Sequence, residues 1–128
     1  MPVTYSIDKT QGIIVTRCIG DVTLGQVIEH FDILIRDPDC PPKLDVLLDL
    51  TECSVIPETH QLEPVSDKIG SIRKNVQFEA CAIVVSSELM FGMARIFLVF
   101  ADERFQMAQV FRAVDQAKKW LNEQKRQE

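Results

Sequence analysis

The chain has 128 residues, of which 46% are hydrophobic and 26% are charged, and its formal net charge is −5. This length is typical of one domain, and a globular protein of this composition can fold without disulfide bonds or metal. Because the net charge is negative and the basic residues form no stripe, we do not expect a nucleic-acid partner.

The first part of the chain predicts a β-hairpin, a helix and a buried strand. Two segments rich in β-branched residues, 3–8 and 12–19, are separated by a turn and form the predicted hairpin. Thr23 begins a capping box, and apolar residues then recur at helical spacing, so we predict a helix over residues 24–36. The nearly continuous apolar run at 44–50 predicts a strand covered on both faces.

The rest of the chain alternates between helical and strand-like patterns. We predict helices at 62–74, 88–102 and 114–124, and strands at 80–86 and 105–111. Strands that are joined through helices imply parallel crossovers. The sequence therefore predicts an α/β fold with a mixed, mostly parallel sheet, an antiparallel N-terminal hairpin and about four helices, in a single domain spanning residues 1–128.

The polar loop after the strand at 44–50 contains Cys53 and His60, and Glu63 follows nearby. A Cys-His-acid set can form a nucleophilic site, but nothing in the sequence supplies a nucleophile at a strained turn beside an oxyanion hole. We therefore predict that the protein is not an enzyme. The histidines and the four cysteines lack the spacing of metal ligands, so we predict neither a metal nor a cofactor.

The segment predicted as the third helix is apolar on more than one face. Its predicted core stripe consists of Leu89, Met93, Ile96, Phe97 and Phe100. The opposite face would carry Phe91, Arg95 and Leu98, which suggests a covering partner. The segment is too short for a transmembrane helix, which needs about 20 apolar residues.

Three interpretations of this helix remain open. Phe91, Arg95 and Leu98 could form the interface of a homodimer or contact another protein. Alternatively, the helix could line a cavity for an apolar small molecule, with a wall formed by Met90, Met93, Phe97 and Phe100. In the third interpretation another segment of the same chain covers the helix.

Several short motifs in this order resemble the SpoIIAA-like group of STAS/SEC14-type domains, which are found mostly in bacteria. The motifs are Gly20-Asp21-Val22-Thr23, Leu48-Asp49-Leu50-Thr51, Gly92-Met93-Ala94-Arg95, Val110-Phe111-Arg112, Ala117 and Trp120-Leu121. The resemblance covers nearly the whole chain. It implies a mixed sheet backed by helices, with small-ligand or lipid binding and protein contact as expected functions, and it implies no defined reaction.

Some relatives in this group carry a phosphorylated serine in an Asp-Ser-Ser-Gly loop after the equivalent strand. Here the corresponding loop has no Ser-Ser-Gly, and Thr59 is the nearest hydroxyl. Glu58 would repel a phosphate on Thr59, and Pro64 predicts that the helix begins several residues later. Thr59 is thus a weak phosphorylation candidate.

The sequence as a whole predicts a non-enzymatic protein-interaction or regulatory module, homodimeric through the helix at 88–102. The alternative is a carrier of a small apolar or lipid-like ligand in a cavity lined by that helix. The amino terminus has no charged segment followed by an apolar one, so we expect no secretory signal and a cytoplasmic location.

Overall fold

The computed structural model describes residues 2–126, which form a five-stranded sheet and four helices. In chain order the elements are β1 (Val3–Asp8), β2 (Ile13–Gly20), α1 (Leu24–Ile35), β3 (Lys43–Cys53), α2 (Thr59–Ser71), β4 (Gln77–Val84), α3 (Glu88–Phe100), β5 (Met107–Phe111) and α4 (Val114–Arg126). The strands lie in the order β1-β2-β3-β4-β5. Strands β1 and β2 are antiparallel and all other neighbours are parallel. The predicted fold class is confirmed.

The N-terminal hairpin requires glycine at its turn. Gly12 has a φ of 66°, in the left-handed region that side chains with a Cβ rarely adopt. Its N–H donates to the carbonyl of Asp8 at 2.8 Å, which closes the turn between β1 and β2. The capping box predicted at Thr23 is also present, because its hydroxyl accepts from the N–H of Gln26 at 3.2 Å.

Helix α2 begins earlier than predicted, at Thr59 rather than at residue 62. The side chain of Gln61 accepts from the N–H of Glu58 at 2.9 Å, and this contact holds the start of the helix. Glutamate is not among the residues preferred at the N-cap, so the pattern was missed. Pro64 consequently lies inside the helix, where its ring nitrogen cannot donate to the carbonyl of His60.

The predicted phase of the third helix is wrong. Helix α3 buries Met90, Ala94 and Phe97, and Ala101 directly after the helix is also buried. Phe97 of the predicted stripe is buried as expected, but Leu89, Ile96 and Phe100 are exposed and each lies one residue before a buried position, which corresponds to a rotation of about 100° at 3.6 residues per turn. Helix α3 carries large apolar residues on several faces, so the hydrophobic pattern of the sequence alone could not show which face is buried. The small side chains of Ala94 and Ala101 face the core.

The sheet separates two hydrophobic cores. Helices α1, α2 and α3 cover one face, where large residues of β4 such as Phe78 and Ile83 point. Helix α4 covers the other face and packs Ala117 and Leu121 against Leu47 and the alanines of β4. Because successive side chains of a strand point to opposite faces, β3 and β4 contribute to both cores.

Candidate ligand-binding site

A cavity of about 150 Å³ lies inside the larger core, between the sheet and helices α1, α2 and α3. We call it the inner chamber. Its main wall residues are Ile14, Thr16, Val46, Phe78, Cys81 and Ile83 from the sheet, His30 and Phe31 from α1, Ile69 from α2, and Met93, Ala94 and Phe97 from α3. Elements from distant parts of the sequence thus meet around one apolar space.

Four rings that line the inner chamber form a row with Tyr5, which lies behind the wall. The ring of His30 lies between Tyr5 and Phe31, with centroid distances of 5.3 and 5.1 Å. The row continues from Phe31 to Phe78 at 6.3 Å and from Phe78 to Phe105 at 6.2 Å. The hydroxyl of Tyr5 donates to Asp37 at 2.6 Å and anchors the outer end. Such tilted ring contacts give the wall a defined shape.

A second space of about 340 Å³, the outer cleft, adjoins the inner chamber. Both share wall residues Cys18, Leu50, Leu62 and Met93. The outer cleft lies where β2 and β3 end, beside the start of α1 and the loop that leads to α2. The shared wall residues and the position of the cleft fit an entrance to the inner chamber.

No charged side chain lines the inner chamber among the residues that the structure describes. Burial lowers the pKa of His30 to about 4, so its imidazole is neutral at pH 7. Burial also raises the pKa of the Cys18 and Cys81 thiols to about 12, so these thiols stay protonated. The outer cleft differs, because Asp21 stands on its wall. The inner chamber is thus suited to uncharged chemical groups.

The structure brings together three of the four residues predicted to line a ligand cavity. Met93 and Phe97 lie on the wall of the inner chamber, and Met90 lies on the wall of the outer cleft. Phe100 lies elsewhere, in an open groove beside Thr59. No sequence pattern indicates the wall residues from the sheet and α1, because their convergence depends on the packing of distant segments.

The predicted interface residues have unequal surroundings. Phe91 and Leu98 are half-buried and pack against the larger core, which favours the interpretation that the same chain covers this side of the helix, and their role as interface residues stays a prediction. The guanidinium of Arg112 lies 4.4 Å from the centre of the Phe91 ring and covers it. Arg95 is exposed, as expected.

The exposed apolar surface of α3 is formed by different residues. We call it the outer face of α3, and it consists of Leu89, Ile96, Val99 and Phe100. The exposed fractions of Leu89 and Val99 are 73% and 77%. Leu89, Ile96 and Phe100 belong to the predicted core stripe, so the exposed apolar surface of α3 is largely the face that the sequence predicted to be buried.

Cys53 and His60, which were considered as members of a catalytic set, line two separate spaces. The thiol of Cys53 lies 3.4 Å from the carbonyl of Val55, on the wall of the outer cleft. His60 lies on the separate open groove, where its Nδ1 is 3.3 Å from the Glu58 carboxylate. Thr59 is exposed as the first residue of α2, and its phosphorylation stays a prediction.

Within residues 2–126, no helix has both the length and the apolar character needed to cross a membrane. The same described residues contain no group of three or more His, Cys, Asp or Glu side chains that could hold a metal ion. No protein-family model matches the chain, and no curated protein matches it either.

Proposed function

We propose that the protein is a non-enzymatic binding protein that holds a small apolar molecule in the inner chamber. The observation that carries the proposal is the apolar cavity of about 150 Å³ between the sheet and three helices. An engineered protein cavity of about this volume stays dry and binds benzene. A molecule about the size of one aromatic ring would therefore fill the inner chamber, and a longer molecule would extend into the outer cleft.

The energetic cost of an empty cavity supports the proposal. At about 24 cal/mol per Å³, a closed void of this volume would cost about 4 kcal/mol of stability, which is an upper limit for a chamber that opens to the outer cleft. That is a large fraction of the roughly 5–15 kcal/mol that stabilises a typical domain. A bound apolar molecule would restore the missing contacts and recover much of this stability.

The resemblance to STAS/SEC14-type domains agrees with ligand binding, since small-ligand or lipid binding is among the functions expected of that group. A second argument is the outer cleft, which shares wall residues with the inner chamber and offers a ligand an entrance. Both arguments concern binding, and neither requires a reaction.

Native mass spectrometry of the freshly purified protein tests this proposal. The expected result is a chain that carries extra mass, on the order of one to a few hundred daltons for a small ligand. The extra mass should be lost on denaturation, which returns the 14.6 kDa chain. Ala94 lies on the chamber wall, so Ala94→Leu fills part of the chamber and should abolish the extra mass. Equal extra mass in both proteins, or none in the parent, would contradict the proposal.

A second candidate function is contact with another copy or another protein through the outer face of α3. Leu89 and Val99 are the observation that favours it, since these two apolar side chains at opposite ends of one helix are more than 70% exposed. Val99→Asp should then weaken the dimer without loss of fold. Ile33→Asp is the control, because Ile33 is an exposed apolar residue on α1. A protein that is monomeric at all concentrations in light scattering would exclude the homodimer.

A further inference from the structure

The polar side chains of the binding site lie on the outer cleft. Among the residues that the structure describes, Asp21, Thr23 and Gln61 are those on the cleft wall whose side chains carry oxygen or nitrogen. The wall of the inner chamber, in contrast, is almost entirely apolar. A ligand that combines an apolar part with one polar group would therefore place the apolar part in the inner chamber and the polar group in the outer cleft.

Two of these three side chains already have partners within the fold. The hydroxyl of Thr23 accepts from the N–H of Gln26 at 3.2 Å, and the side-chain oxygen of Gln61 accepts from the N–H of Glu58 at 2.9 Å. Each contact holds the start of a helix.

Asp21 is the charged residue of the cleft wall, and it is exposed. One of its carboxylate oxygens accepts from the Ser54 hydroxyl at 2.9 Å. An ionised carboxylate has about four acceptor sites, so this contact leaves Asp21 able to accept a hydrogen bond from a ligand. A hydroxyl or an amine could donate such a bond, and a carboxylate could not.

The walls of both spaces lack positive charge. Among the described residues, no lysine or arginine lines the inner chamber or the outer cleft. A carboxylate or phosphate group of a ligand would therefore face Asp21 without a counter-charge. The net charge of the chain, −5, acts in the same direction.

The starts of helices α1 and α2 also border the outer cleft, and a helix start attracts anions. An acidic residue stands at each of them, since Asp21 lies two residues before the N-cap of α1 and Glu58 is the N-cap of α2. A helix start is equivalent to about half a positive charge, whereas each carboxylate carries a full negative charge. The helix starts thus do not turn the cleft into an anion site.

We propose that the bound molecule carries no negative charge and places a hydrogen-bond donor, a hydroxyl or an amine, in the outer cleft beside Asp21. The ligand class is then an apolar alcohol or amine and not a carboxylic acid. This inference rests on the proposed binding function and adds the chemical class of the ligand.

The test uses three probes with the same fluorinated ring and different charge at pH 7: 4-fluorobenzyl alcohol, 4-fluorobenzylamine and 4-fluorobenzoate. Their dissociation constants are measured by ¹⁹F NMR for the parent, Asp21→Asn and Asp115→Asn. Asp115→Asn is the matched control, because it removes the same charge from an exposed position on α4, which covers the opposite face of the sheet. Circular dichroism confirms that each variant is folded.

We expect 4-fluorobenzoate to bind the parent at least about tenfold more weakly than the alcohol, because its charge has no partner in either space. Relative to the alcohol, Asp21→Asn should weaken the amine and strengthen the benzoate, each about threefold, which is the scale of an interaction between exposed charges. Asp115→Asn should leave both ratios unchanged.

Two kinds of failure are distinguishable. If the alcohol binds but the benzoate binds the parent equally well, or if Asp21→Asn changes neither ratio, the inference about the ligand class is wrong and the binding function stands. If none of the three probes binds to the parent protein, both the binding function and the inference are overturned.

Discussion

The two faces of the sheet are packed with side chains of different size. On the α4 face, β4 presents Ala80 and Ala82, and these small residues let Ala117 and Leu121 of the helix become fully buried. On the opposite face, the same strand presents large residues to three helices, and the inner chamber lies among them.

Because the two faces belong to the same strands, the backbone of the sheet alone does not explain the inner chamber. Strand β4 supports a close contact with one helix on its alanine face and borders a cavity on its Phe78 and Ile83 face. Protein interiors are usually packed as densely as organic crystals. The space on the α4 side is bordered by polar side chains such as Glu79, Gln106 and Lys125, whereas the inner chamber is apolar, and changes that act differently on the two cores test this difference.

The largest expected effect concerns pH and the larger core. Burial lowers the pKa of His30 from its ordinary value of 6.5 to about 4. The unfolded chain therefore binds a proton at higher pH than the folded chain does. The stabilisation is fully present above about pH 6.5 and is lost as the pH falls to about 4, with a total near 3 kcal/mol.

Chemical denaturation at pH 7 and pH 5 measures this effect. Between these values we expect the free energy of unfolding to decrease by about 2 kcal/mol through His30. His30→Phe keeps a ring between Tyr5 and Phe31 and removes the titrating group, so most of the decrease should disappear. An equal decrease in the variant would mean that other groups cause the pH dependence.

A matched pair of alanine substitutions compares the two cores directly. Ala117 and Ala94 are both almost fully buried, but only Ala94 borders the inner chamber. Ala117→Leu should destabilise the protein by about 1–3 kcal/mol, because the added atoms have no space. Ala94→Leu should change the stability by less than about 1 kcal/mol, or raise it, because its added atoms enter the cavity. Thermal denaturation would show the account to be wrong if both variants lost the same stability.

A pair of glycines gives the smallest expected effect. A Cβ at Gly70 in α2 would lie 2.7 Å from the Arg104 guanidinium, whereas a Cβ at Gly92 in α3 would meet no atom within 4 Å. Gly92→Ala should therefore stabilise the protein by about 0.5–1 kcal/mol through helix propensity. In Gly70→Ala the guanidinium must move away, and it would lose its contact with Ser66, now 3.3 Å away. We expect no gain from this variant in urea denaturation, and a gain equal to that of Gly92→Ala would contradict the role of Arg104.

Local patterns in the sequence were sufficient to predict the elements and the class of the fold. The hairpin at Gly12, the capping box at Thr23 and the apolar strand β4 each depend on residues close in sequence. The start of α2 was missed because Glu58 is an unusual cap. The phase of α3 was missed because Ala94, a small residue, faces the core while larger residues face solvent.

The candidate site was less predictable than the fold. Met93 and Phe97 could be named because they belong to a helix with an excess of apolar residues. Thr16 and His30 carry no sequence signal of their own, since a threonine in a strand and a histidine in a helix are ordinary. Their role in the wall depends on the distances between β2, α1 and α3, which only the assembled fold defines.

The central claim is that the apolar binding surface lies inside the larger core and not on the outer face of α3. Titration with benzene, followed by NMR of isotope-labelled methyl groups, tests it most directly. We predict saturable shifts at the methyl groups of Ile14, Ile83 and Met93 in the inner chamber, with no change at Leu89 and Val99 on the outer face. Shifts confined to Leu89 and Val99, or no saturable shift at any methyl group, would contradict the account.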